Sequence, residues 1–218
     1  MAWMTKHEFL AQLHTLIQPR AYLEIGVQSG GSLNLANCPS IGIDPSPLVS
    51  PRGQQQIFRM TSDAFFDDPL GKIEHDFPPI DLVFIDGMHL FEFALRDFIN
   101  VEKIAHEGTV VVFDDVLPYN EAIAGREPLP GDWAGDVWKT MQIISDLRFD
   151  LNHRIVDVWS TGAFVVWGFG RSAVDALLLQ AHCENIVKKW MDKPMPEWVL
   201  SREFAATPES VLEDLRIR

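Results

Sequence analysis

The feature that most constrains this chain is a succession of short apolar runs, each ending in an acid or a glycine turn. Residues 21–25 end at Gly26, residues 40–43 at Asp44-Pro45, residues 56–60 at Thr61-Ser62-Asp63, residues 80–85 at Asp86-Gly87, and residues 109–113 run into Asp114-Asp115. Runs of this length bounded by turn residues read as buried strands. Between the fourth and fifth, Phe91, Ala94, Leu95, Phe98, Val101 and Ile104 recur at helical spacing until Glu107-Gly108 breaks the pattern. Such alternation predicts a doubly wound, mostly parallel α/β sheet whose ligands lie outside the carboxyl ends of its strands. The acids collect at that edge. Only Ser160-Thr161-Gly162 separate residues 155–159 from 163–167, too few for a parallel crossover, so the seven-stranded sheet is predicted to end in an antiparallel hairpin.

The flanks are helical. Thr5 and Glu8 have capping-box spacing, and Phe9, Leu10, Leu13, Leu16 and Ile17 follow at the helical period before Pro19. Residues 117–135 hold three prolines and three glycines, a long irregular segment of the kind that serves as a lid. Helices are predicted over 136–148 and 172–191, and another from Thr207-Pro208, an N-cap followed by a residue suited to N1. The chain divides into a domain over 1–170 and a helical extension over 171–218. The run Val187, Trp190, Met191, Trp198 and Val199 either wraps this extension back onto the domain or forms a surface for a homo-oligomer.

Composition narrows the function. Seven Trp and fourteen Phe in 218 residues supply a large core and exclude disorder for most of the chain. A net charge of −13 repels phosphate backbones and anionic lipid, so neither nucleic acid nor a membrane is the expected partner. The N-terminus lacks a basic region followed by an apolar run, and a cytoplasmic location is the expectation. Cys38 and Cys183 stand far apart without metal-ligand spacing and read as reduced thiols.

Glu24 precedes Gly26, Gly30 and Gly31, and Asp44 lies 18 residues beyond Gly26 at the end of the next strand. Glycines there let a ligand approach the backbone, and an acid ending the second strand can accept hydrogen bonds from a ribose diol. The spacing is not the GxGxxG that cradles a pyrophosphate, and a diphosphate would meet Glu24 unfavourably. A cationic cofactor with an amino acid tail, S-adenosylmethionine, suits the site better. In this pattern the chain resembles class I methyltransferases, with their Rossmann-like methyltransferase fold. The resemblance implies that Glu24, Gly26, Gly30 and Asp44 hold the cofactor's tail and ribose, with Ser62 and Asp63 against its adenine and Asp86 beside it.

Asp86 and the pair Asp114-Asp115 leave strands expected to be neighbours. Like charges so close repel or take up protons unless a cation lies between them, and an all-oxygen set favours a hard ion such as Mg²⁺. The alternative is that Asp114 and Asp115 are solvated loop acids and Asp86 caps the next helix. The stretch from Ile80 through Asp86-Gly87 to His89, with the strand ending Phe113-Asp114-Asp115, resembles metal-dependent small-molecule O-methyltransferases, in particular the macrocin and cephalosporin-cluster group. That resemblance implies a metal on Asp86, Asp114 and Asp115, and His89 as the general base for a hydroxylated small molecule such as a glycoside or polyketide-like compound. A departure is Asp115, where catechol-type enzymes usually carry Asn. Trp133 and Trp138 are candidate substrate contacts that read equally as core, and Lys139 has no assigned role. The rivals are a nicotinamide-dependent oxidoreductase, weakened by the missing GxGxxG, a non-heme iron hydroxylase, for which only His89 is at hand, and a non-catalytic binding module on the same fold.

Overall fold

The computed structural model describes residues 3–68, 72–73 and 75–217. Its sheet has seven strands: β1 (Tyr22–Ile25), β2 (Ser40–Ile43), β3 (Gln55–Phe58), β4 (Leu82–Ile85), β5 (Val110–Asp114), β6 (Asn152–Val156) and β7 (Ala163–Trp167). They lie in the order β3-β2-β1-β4-β5-β7-β6. The first five are parallel, and β7 runs antiparallel between β5 and β6, the expected terminal hairpin. The chain order reverses between β1 and β4, the switch point where ligands bind in open α/β sheets.

Register explains why the acids meet. Ile25 pairs with Ile43 on one side and Ile85 on the other, and Ile85 pairs with Phe113. The next residues, Gly26, Asp44, Asp86 and Asp114, therefore emerge side by side at one edge. The central strands are buried on both faces, so their sequences are continuous apolar runs rather than alternating ones.

The helices are α1 (Lys6–Ile17), α2 (Ser62–Phe66), α3 (Phe91–Glu102), α4 (Trp138–Leu147), α5 (Ala173–Trp190), α6 (Glu197–Ser201) and α7 (Pro208–Arg216). No α-helix joins β1 to β2 or β2 to β3; a single 3-10 turn, Leu33–Leu35, stands between β1 and β2. The intervening residues, rich in glycine, serine and proline, have no apolar stripe at a 3.6 period and cannot bury a helix face. That side of the sheet is covered instead by α1 and α7, through Phe9, Leu10, Leu13, Val211, Leu212 and Leu215. The opposite face packs α2 to α6, where Trp190 and Val199 are buried and Val187, Met191 and Trp198 join them. Those five residues thus wrap back onto the sheet's helical layer.

The start of α1 is tied to the distal hairpin. Thr5 and Glu8 form the expected capping box, the Lys6 N–H donates to Trp159 O at 3.2 Å, and the Trp159 N–H donates to Met4 O at 2.8 Å. Residues 117–135 hold no regular element but are anchored. Arg126 pairs with Glu92 at 2.5 Å and Asp136 at 2.7 Å, and Trp133 Nε1 donates to Gly125 O at 2.7 Å. Both cysteines are free and half-buried, and no helix among the described residues is long and apolar enough to cross a membrane.

Candidate active site

Two cavities meet at the carboxyl edge. The first, about 530 Å³, lies over the turn after β1, and Asp44, Ser62, Asp63, Asp86, Phe93 and Asp97 are in its wall. The second, about 480 Å³, is lined by Asp115, Trp133, Trp159 and Thr161 among others. Lys6, His7, Gln28 and His89 face both. Each volume suits a small ligand.

The first cavity exists because Gly26 has no side chain. Its φ is +93°, and a Cβ there would lie 1.9 Å from the Asp86 carbonyl oxygen. Gly30, also in the left-handed region, turns the chain behind the wall against Val49, and Gly31 lines the cavity in its place. The Asp44 carboxylate accepts from the Gln28 N–H at 2.8 Å and the Ser46 N–H at 2.7 Å. Each oxygen keeps acceptor capacity. Asp63 pairs with Arg96 at 3.1 Å.

Glu24, like Gly30, is not in the wall of the first cavity. It is fully buried beneath the turn, outside the cavity wall, and accepts from the Tyr22 hydroxyl at 2.7 Å and the Ser32 hydroxyl at 2.9 Å. Burial outweighs these two donors and raises its pKa to about 8. The folded state therefore holds this proton more tightly than the unfolded chain. Its stabilising contribution is complete below about pH 4.5 and lost as pH rises through about 8. Relative to Glu24→Gln, the wild type is expected to lose on the order of 4 kcal/mol across that window. Urea denaturation at several pH values reads the difference, and parallel curves would contradict it.

The three metal-candidate acids do converge, with a cation between two of them. Lys6 Nζ lies 2.9 Å from Asp86 Oδ2 and contacts Asp114 Oδ2. His89 Nε2 is 3.4 Å from Asp86 Oδ1, and its Nδ1 is 3.3 Å from Asp115 Oδ2 and in contact with the Trp133 carbonyl. Asp86, His89 and Asp115 place one ligand atom each within 4.8 Å of the others. Asp114, whose carboxylate meets Lys6, is outside that group.

These contacts set the proton affinities. Burial opposes ionisation of Asp86, but His89 and Lys6 together hold its pKa below the usual value. Burial, then the neighbouring acids, push Asp114 well up and Asp115 up. Burial would lower His89, yet Asp86 and Asp115 raise it to about 9.

His89 is also clamped from the loop side. Its ring stacks on Trp133 with centroids 5.2 Å apart, and the Asp136 N–H donates to its carbonyl at 3.2 Å. Of the two candidate tryptophans, only Trp133 reaches a cavity; Trp138 is buried in the core. Lys139 is buried, bridging Asp136 at 3.1 Å and Met191 O at 2.7 Å.

Lys6, His7 and Asp97 escaped sequence reasoning. Asp97 carried a legible signal: it falls on the apolar stripe of Ala94, Phe98 and Val101, and burial raises its pKa to about 7. Lys6 carried none beyond its place at a helix start.

Residues 23–116 match the family model described as a methyltransferase domain. An uncharacterised protein of Acanthamoeba polyphaga mimivirus is 30% identical, the match covering 45% of this chain and 52% of that protein. The chain thus spans about half the length of this curated relative. Among solved structures, the O-methyltransferase TomG from Streptomyces achromogenes, involved in tomaymycin synthesis and bound to S-adenosylmethionine, aligns with a TM-score of 0.53 at 21% identity, over 74% of this chain and 78% of that one. An S-adenosylhomocysteine-bound methyltransferase of Podospora anserina aligns with a TM-score of 0.53 at 13% identity, over 75% and 77%.

Proposed function

We propose, for a chain that has the fold of the class I S-adenosylmethionine-dependent methyltransferases, that it methylates a hydroxyl oxygen of a small molecule. The observation that carries this reading is the meeting of two cavities at Lys6 and His89. One is built for a nucleoside with a cationic tail, the other for an acceptor.

The first cavity fits the cofactor on its own residues. Gly26 lets the ligand reach the backbone, Asp44 keeps acceptor capacity for a ribose diol, and Ile43, Met88 and Phe93 supply apolar surface for a base. S-adenosylmethionine supplies an electrophilic methyl group on a sulfonium. The chain orients the acceptor in line and takes its proton. When the acceptor is methylated, its hydroxyl proton would pass to the Asp115 carboxylate, which lies 3.3 Å from His89 Nδ1 beside the second cavity. Trp133 and Trp159 flank the acceptor.

Mg²⁺ does not fit the set expected from sequence, Asp86, Asp114 and Asp115. Asp86 Oδ2 and Asp114 Oδ2 face Lys6 Nζ, and Asp86 Oδ1 and Asp115 Oδ2 face the two nitrogens of His89. The ammonium thus takes the place between Asp86 and Asp114 that an ion on those acids would need, while Asp86, His89 and Asp115 keep ligand atoms within 4.8 Å of one another.

Calorimetric titration with S-adenosylhomocysteine is expected to show one site per chain with the same affinity with and without Mg²⁺, and no binding of NAD. Failure to bind S-adenosylhomocysteine in either condition would leave a binding module as the better reading.

A further inference from the structure

We infer that the ammonium of Lys6 is the resident cation of this site, standing where the sequence resemblance led to the expectation of a divalent metal, with its third N–H left to an acceptor oxygen. The last clause rests on the proposed methyl transfer; the first rests on the contacts alone.

Asp86 and Asp114 follow β4 and end β5 at adjacent positions of the register, so the fold forces their carboxylates together. At such separations within a protein the repulsion between two charges is several kcal/mol. Lys6 Nζ contacts one oxygen of each, and sits 6.0 Å over the ring of Phe84.

The placement is built rather than incidental. Lys6 is the first residue of α1, held by the capping box beside it and by the Met4 and Lys6 backbone bonds to Trp159. An ammonium has three donors; two meet Asp86 and Asp114, and the side chain, still part-exposed, lines both cavities. A divalent ion on the same two carboxylate oxygens would lie against this charge. An ion on the group of Asp86, His89 and Asp115 would share Asp86 with the ammonium that contacts its other oxygen.

Mn²⁺ uptake by the full chain, followed by electron paramagnetic resonance, tests the inference. The wild type and Lys6→Arg are expected to take up no stoichiometric Mn²⁺ at millimolar concentration. Lys6→Met is expected to gain a site, with apparent affinity higher by about a hundredfold or more. Circular dichroism and a cooperative urea transition of all three show that they are folded, and S-adenosylhomocysteine binding is measured on the wild type in parallel. Its absence in the wild type strikes the methyltransferase reading and leaves the cation result standing. Stoichiometric Mn²⁺ uptake by the wild type, or a folded Lys6→Met that stays metal-free, would overturn the inference. If Lys6→Met does not fold, the wild-type titration decides alone: exclusion upholds the inference and uptake overturns it.

Discussion

Gly26→Ala is expected to destabilise the protein by about 4 kcal/mol or more, a large part of the stability of a typical domain. Two costs combine. The residue's φ of +93° is a conformation that disfavours any side chain, and the new Cβ would sit 1.9 Å from Asp86 O, 2.4 Å from its carbonyl carbon and 2.7 Å from Gly87 Cα. All three are backbone atoms, so no rotamer change relieves the overlap. The turn also cannot slide away. The Gly26 N–H donates to Ile43 O at 2.9 Å and the Asp86 N–H to Ile25 O at 2.8 Å. Denaturant titration reads the loss, and S-adenosylhomocysteine affinity should fall with it because the displaced atoms line the first cavity. A variant with wild-type midpoint and affinity would show that β1 and β4 do not approach this closely.

Asp115→Asn and His89→Gln are each expected to lower methyl transfer by about 10²–10⁴-fold, the usual contribution of a positioned acid–base group. Asp115 sits at φ +63°, turned out of β5 so that its carboxylate faces His89 and the second cavity rather than continuing the strand. Because the two side chains act on one proton, the double variant should be little worse than either single one. The readout is S-adenosylhomocysteine release with a panel of hydroxylated acceptors. Asp115 lies outside the wall of the first cavity, so in Asp115→Asn cofactor affinity should stay near the wild-type value. A full additive loss in the double variant would mean that the two residues do separate jobs.

The strand ends were readable because Gly26, Asp44 and Asp86 directly follow their buried runs and Asp114 is the last residue of β5. The antiparallel pair was readable from a three-residue turn. The site was readable only as a gathering of acids. What neutralises them was not, since Lys6 lies 80 and 108 positions from its two partners and nothing local marks the contact. Glu24 shows a second limit. The pattern puts an acid at the turn, but only the packing reveals that its carboxyl points to Tyr22 and Ser32 beneath the cavity. Trp133 and Trp138 show a third, because both are aromatic and five positions apart, and only the start of α4 between them separates a cavity wall from core.

The backbone pairing of Met4 and Lys6 with Trp159 means that the charge at the reaction edge is delivered from outside residues 23–116, the stretch that matches the family model. Two proteins could share that whole stretch and still differ in how their shared acids are neutralised, according to the few residues placed ahead of the first strand.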